Sequence, residues 1–375
     1  MEFLHRTWAE IDINALVHNF EIIKEKANGA KIYSVVKADA YGHGMQDIVM
    51  ALSACKTDAF AVSNIEEALE VRRIDKHTPV LILGYTPHSF AQVLAENDLT
   101  QAVYSLDLAK KLSESAKNCG VKVKFHLKID TGMGRIGFDC RSDDIADKED
   151  ILAVLKLDNL VFDGVFTHFA SSDKDGDEDF SFTKSQIARF NKTVDIIKNA
   201  GFNPRICHTC NSAALISDES RFDACRPGII LYGLNPMEND DTPLIPVMTL
   251  KSVVSFVKTI KKGETVSYGR TFTAKEDMKI ATVTAGYGDG YPRSLSNKGY
   301  VLIGGQKAFI VGRVCMDQFC VDVTHIQKVT EGDEVVLFGK ELSAATLAKI
   351  ANTIHYEIVC GISKRVPRII LKKDN

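Results

Sequence analysis

The sequence predicts an α/β fold in two parts: a TIM-like (β/α)8 barrel over residues 1–240, then a mainly-β C-terminal domain over residues 241–375. Three observations carry this. From about residue 14 to 230, β-rich runs alternate with amphipathic helical stretches. Eight such runs can be counted, the number that closes a barrel. After the segment 235–246, with three prolines and an acidic run, the alternation stops and β runs with turn glycines take over.

The eight runs are 31–36, 59–63, 80–83, 101–104, 122–129, 160–168, 205–209 and 222–225. Alternation with helices implies a parallel sheet with the helices outside. An open doubly wound sheet satisfies the same count and stays open at this point. Among the helices, 14–27 sets Leu16, Val17, Phe20 and Ile23 on one face, and 106–118 and 183–199 have similar spacing. In the second domain the β runs are 250–260, 279–285, 301–303, 308–311, 319–323 and 334–338, with one helix at 344–353. The first residues of the chain are candidates to pair with this domain rather than with the barrel.

Length and composition fit two packed domains, since 375 residues carry 45% hydrophobic content. The 46 basic residues nearly balance 49 acidic ones, for a net charge of -3, so nothing points to nucleic acid or a membrane surface. The opening MEFLHRTWAEID lacks a basic stretch followed by an apolar run, which argues against a secretory signal. The odd set of nine scattered cysteines reads as reduced thiols in a cytoplasmic protein. Cys207 and Cys210 form one C-x-x-C. Without a second pair at zinc spacing they read as strand-end thiols, and no metal is expected.

KIDTGMGRIG (128–137) contains the G-x-G-x-x-G of dinucleotide sites. That use needs a helix after the glycines, and FDCRSDD follows instead. The glycines read as a sharp turn that carries Arg135 over the barrel mouth, with Lys128 and Asp130 beside it. VVKADAYGHG (35–44) ends the first strand of the barrel in a lysine. A lysine there can be desolvated, which lowers its pKa and frees its amine for a Schiff base.

VVKADAYGHG, KIDTGMGRIG, THFASSD (167–173), RPGIILYG (226–233), VSYGRTF (266–272), AGYGDGYPR (285–293), GRVCMDQ (312–318) and RVPR (365–368) occur in this order. Together they closely resemble the bacterial alanine racemases, over nearly the whole chain. The resemblance implies pyridoxal phosphate as cofactor and a head-to-tail homodimer with shared active sites. It implies that Lys37 bonds the cofactor and acts as one acid/base group, with Tyr268 as the other. Tyr41, Ser212, Gly228, Ile229 and Tyr356 would hold the phosphate. Arg226 would face the pyridine nitrogen, and Arg135 would bind the ring oxygen and the substrate carboxylate. Lys128 would be carbamylated and brace Arg135. Met316 would line the substrate site, with Asp317 beside it.

The chemistry explains why such residues are needed. Racemisation takes the α-proton from one face of a planar carbanion and returns one to the other, so two fixed groups on opposite faces serve it. A phenol with the reference pKa of about 10 ionises near neutrality only at a cost of about 4 kcal/mol. A cationic relay through His168 and Arg226 would offset that cost. An arginine at the pyridine nitrogen leaves it mostly unprotonated and so disfavours transamination. The alternatives are a serine or broad-specificity racemase, a same-fold decarboxylase, a non-catalytic cofactor carrier and the NAD dehydrogenase of the glycine motif. The joint presence of Tyr268, Met316 and Lys128 argues against the carrier. The expected role is supply of D-alanine for peptidoglycan.

Overall fold

The computed structural model describes residues 6–142, 144–173, 177–217, 221–237 and 240–372. Residues 1–5 and 238–239, which fall in the predicted N-terminal pairing and linker segments, lie outside the described residues. The chain opens with β1 (Thr7–Asp12) and a helix at Ile13–Ala27. Nine strands follow: β2 (Lys31–Val35), β3 (Ala59–Val62), β4 (Val80–Ile82), β5 (Leu99–Val103), β6 (Val123–Asp130), the short β7 (Phe138–Asp139), β8 (Leu160–Phe166), β9 (Ile206–Cys210) and β10 (Ala224–Cys225).

All of β2 to β10 except β7 form one parallel sheet in the order β5-β4-β3-β2-β10-β9-β8-β6, and β5 pairs with β6 to close it. This is the predicted eight-stranded barrel, and the closure removes the doubly wound alternative. The strands bury both faces; β3, β4, β5 and β9 have no residue outside the core. Parallel strands under a helical coat read as continuous apolar runs for that reason.

The helix Ile13–Ala27 shows how periodicity becomes packing. Asp12 caps it by accepting from the Ala15 amide, and Leu16, Phe20 and Ile23 are buried to 1% exposure or less. Each such side chain contributes about 1.5–3 kcal/mol of burial. Asn19 sits among them with 0% exposure. Its amide donates to the carbonyls of Leu231 and Ile245 and accepts from the Ile245 N–H, so no buried polar atom is wasted. These bonds tie the first helix to the end of the predicted linker.

One predicted helix starts earlier than its apolar spacing indicates. It runs Asp177–Asn199 rather than 183–199. Phe180 and Phe182 in the added turns are exposed, so no buried stripe marks them in the sequence.

The second sheet contains β11 (Met248–Ile260), β14 (Met278–Val283), β15 (Tyr300–Ile303), β16 (Gln306–Val311), β17 (Phe319–Asp322), β18 (Glu334–Phe338) and β19 (Arg368–Leu371), with β1. A separate ribbon pairs β12 (Thr265–Val266) with β13 (Phe272–Thr273). Six strands close a ring in the order β11-β18-β15-β16-β17-β14, because β14 pairs back onto β11. β1 joins this sheet, antiparallel to β11 and parallel to β19. A helix at His355–Cys360 carries the domain back onto the barrel mouth. Among the described residues, no helix is long and apolar enough to cross a membrane.

Candidate active site

The C-terminal ends of the barrel strands surround a cavity of about 440 Å³, a usual size for a small-molecule site. Lys37 enters it directly after the buried end of β2. Burial lowers the pKa of its amine, and the nearby Arg135 lowers it further.

The backbone after Lys37 is unusual. Ala38, Asp39, Ala40 and Tyr41 all have φ of 53–54°, a full left-handed turn without glycine. Such residues cost about 1–2 kcal/mol each, so the turn must be held from outside. Glu67 does part of this, accepting from the N–H groups of Ala38 at 2.7 Å and Ser63 at 2.8 Å. Asp39 accepts from the Met45 amide. Arg368, the last residue of RVPR, donates twice to the Gly42 carbonyl and also to the carbonyls of Ile362, Ser363 and Val366. The turn brings Tyr41 into the same cavity as Lys37.

Across the cavity, the glycine motif shapes the loop after β6. Asp130 accepts from the amides of Gly132 and Gly134. Gly137, at φ 134°, passes so close that a Cβ there would lie 2.6 Å from the Asp130 nitrogen. β7 follows, not a helix, and the loop lays Arg135 along the cavity wall. Lys128 is 3% exposed, and its amine donates to the Ile129 carbonyl at 2.6 Å. Burial pushes its pKa down to about 7; Asp130 opposes this, while Arg226 and Arg135 add to it.

Arg226 is 4% exposed and closes the floor. Its Nη2 donates to the carbonyls of Thr167 and Thr209 at 2.8 and 2.9 Å and approaches His168 Nδ1 at 3.3 Å. Burial lowers its pKa to about 10, which leaves it a cation at neutrality. Burial and Arg226 together hold His168 well below the usual imidazole range. The expected cationic relay thus has one cation, Arg226, donating to a neutral His168.

A further wall is built from small groups and donors. Ser212 Oγ accepts from the Gly228 amide at 2.8 Å. A Cβ on Gly228 would lie 2.5 Å from the Tyr41 hydroxyl, so the backbone must be bare there. Burial raises the pKa of both the Tyr41 and Tyr356 phenols, which keeps them as neutral donors. Tyr356 reaches this cavity from the helix His355–Cys360 of the second domain. Ile229 buries its side chain completely in the core, so only its backbone remains beside Gly228.

The other predicted residues lie elsewhere. Tyr268, Met316 and Asp317 are not among the cavity's lining; Tyr268 is 73% and Met316 53% exposed. Their motifs converge on one face of the second domain. Ser267, at φ 67° and ψ -178°, is strained, and its hydroxyl donates to the Arg313 carbonyl at 2.9 Å. The amides of Tyr287 and Gly288 donate to the carbonyls of Cys315 and Met316. Arg365 joins buried Asp289 to Asp317 at 2.8 Å each, and Arg6 makes a second ion pair with Asp289.

The N-terminal alanine racemase family model matches residues 11–236, and the C-terminal model matches residues 247–370. This chain belongs to the alanine racemase family. It is 41% identical to the alanine racemase of Clostridium tetani over 99% of this chain and 97% of that one. The alanine racemase structure from Clostridium difficile superposes with a TM-score of 0.91 at 38% identity, covering 99% of this chain and 97% of that one. A Bartonella henselae alanine racemase structure with covalently bound pyridoxal phosphate gives a TM-score of 0.88 at 28% identity, covering 98% and 99%.

The racemase's cavity also contains residues that sequence reasoning missed. Phe166 forms part of the floor, with the Lys128 amine 5.7 Å and the Arg226 guanidinium 5.4 Å from its ring centre. Asn211, Asp173 and Cys360 line it as well. Asn211 caps the helix Ser212–Ile216, accepting from Ala214, and also accepts from the Ser172 hydroxyl. The strand-end position of Phe166 was the available signal; an isolated phenylalanine in an apolar run carries no chemical mark.

Proposed function

We propose that this racemase interconverts L-alanine and D-alanine with pyridoxal phosphate bonded to Lys37, by a two-base mechanism in a homodimer. Lys37 is the base on one face, and the partner's Tyr268 is the base on the other. Pyridoxal phosphate supplies the sink for the electron pair left when the α-proton departs. The rest is done by the chain's own side chains.

The observation that carries this reading is a lysine of lowered pKa sharing one cavity with a fully buried arginine. Residues present in that cavity fit the cofactor. Tyr41 and Tyr356 are neutral donors for a phosphate, and the bare edge at Gly228 lets the Tyr41 hydroxyl come close to the backbone there. Arg226 has donors only, so it faces the ring nitrogen without supplying an acceptor. Arg135 supplies a guanidinium for the substrate carboxylate.

The Lys37 amine, when free, would take or return the α-proton. His168, whose Nδ1 receives Arg226, has its Nε2–H left to donate to the phenol oxygen of the partner's Tyr268. Met316 and Asp317 belong to the same contributed face. The exposure of Tyr268 and Met316, away from their own cavity, supports a shared site between two copies. A cytoplasmic location and supply of D-alanine for peptidoglycan complete the proposal.

The test is a visible spectrum of the purified protein followed by a coupled D-alanine assay. Cofactor absorbance lost on borohydride treatment, with the label fixed on Lys37, is expected alongside D-alanine formation. An unlabelled Lys37 would refute the assignment.

Lys128 is expected to be carbamylated. A buried amine with a pKa of about 7 is roughly half neutral at neutral pH, where an ordinary lysine is almost wholly charged. The neutral amine adds CO2, an N–C bond forms and one proton is released. The anion then lies among Arg135 and Arg226 and braces the former. Native mass spectrometry in bicarbonate should show one added CO2 per chain, lost below about pH 6 as the amine protonates. An unmodified mass at pH 8 in bicarbonate would remove this part of the mechanism.

Arg226→Glu should slow racemisation by at least about 100-fold and raise the share of abortive transamination. The carboxylate would accept from a protonated ring nitrogen, the state that Arg226 disfavours. The ratio of pyridoxamine phosphate formed to D-alanine formed checks this; an unchanged ratio argues against the role.

A further inference from the structure

Beneath the cavity, Arg226 begins a line of hydrogen bonds that the reaction above does not use. Its Nη1 is 2.6 Å from His208 Nδ1, His208 Nε2 is 2.8 Å from His126 Nδ1, and His126 Nε2 is 3.3 Å from Asp163 Oδ2. Asp163 in turn accepts from Nε and Nη2 of Arg205 at 2.7 and 2.9 Å. Arg226 follows β10, His208 lies on β9, His126 on β6 and Asp163 on β8. The line therefore descends from the cavity floor through the barrel core to Arg205, whose side chain is 67% exposed.

Proton counting gives the line a direction. A guanidinium only donates, so His208 Nδ1 must accept and its proton sits on Nε2. That N–H donates to His126 Nδ1, which must then be bare, so the His126 proton also sits on Nε2 and points at Asp163. Both imidazoles are neutral and share one tautomer. Their surroundings favour this, since His208 and His126 are 0% and 1% exposed. Phe166 stacks on His208 at 4.8 Å, and Tyr33 packs 5.4 Å from its ring centre.

We propose that His208, His126 and Asp163 are positioning residues that hold Arg226 through a one-way chain of neutral imidazoles and thereby set the ratio of racemisation to transamination. The inference rests on Arg226 facing the cofactor ring. Without an acceptor at position 126, the His208 Nε2–H is buried and unpaired. Moving that proton to Nδ1 relieves it but sets a donor against the guanidinium, so Arg226 must shift. The effect reaches the cavity from a residue that does not line it.

The experiment uses holoenzyme carrying 15N-labelled histidine. Wild-type His208 and His126 should both show the neutral Nε2–H tautomer by NMR. His126→Phe removes the acceptor; it should move the His208 proton to Nδ1, alter the absorbance of the bound cofactor and raise the transamination share about fivefold or more. His126→Gln can still accept from His208 and donate to Asp163, and should return the share to within about twofold of wild type.

A charged or Nδ1–H His208 in the wild type overturns the inference even where a variant fails to fold. So does an unchanged product ratio in a folded His126→Phe enzyme. Absent racemisation by the wild type would instead overturn the underlying function.

Discussion

Lys37→Ala is expected to reduce racemisation by at least about 10⁴-fold, the upper range for losing a positioned acid/base group, compounded here by loss of the covalent anchor. The substitution removes the amine but leaves the walls that fit the cofactor. Pyridoxal phosphate should still bind, through the donors at Tyr41 and Tyr356 and the edge at Gly228, but should dialyse away after borohydride treatment. The lowered pKa of the Lys37 amine is part of the same expectation. Folded protein that has lost borohydride fixation together with activity establishes the role. Retained racemisation would sink it.

Tyr268→Phe should cost about 10²–10⁴-fold in kcat with little change in KM, since only a proton-carrying oxygen is lost. The two directions should suffer unequally, because the phenol serves one enantiomer as base and the other as acid. Exchange of the α-proton with solvent should persist on the face served by Lys37. The same variant tests the shared site. Mixed with Lys37→Ala chains, half of the randomly paired dimers are hybrids, and each hybrid has one intact site. Activity should recover to about a quarter of wild type. No recovery after proven subunit exchange would mean that each chain completes its own site.

Much of the fold was legible because barrel strands are largely buried on both faces, and some read as unbroken apolar runs, as AFAV in β3 and VLI in β4 do. β2 and β3 fall within a residue of expectation. β19 was less visible: it is short, and its pairing with β1 spans more than 350 positions of sequence, which no local pattern records. Lys37, Lys128 and Arg226 were marked by the resemblance of their motifs, and their places at or just after barrel strands bring them to one cavity. The left-handed turn was not legible, since alanines and an aspartate at 38–40 have no propensity for it. Nor was the pairing of His126 with His208, because their contact depends on the barrel setting β6 and β9 on either side of β8, an order that no local pattern records.

The turn beside Lys37 bears on how this architecture can change over time. Four residues of the wrong hand, unfavourable by on the order of 5 kcal/mol, persist only while Glu67 and Arg368 grip both ends. One grip belongs to the barrel and the other to β19 of the second domain. Neither half is therefore a free module. Transplanting the barrel without its own C-terminal companion would let the backbone spring towards ordinary geometry and swing the amine off target, so the two halves must be inherited together.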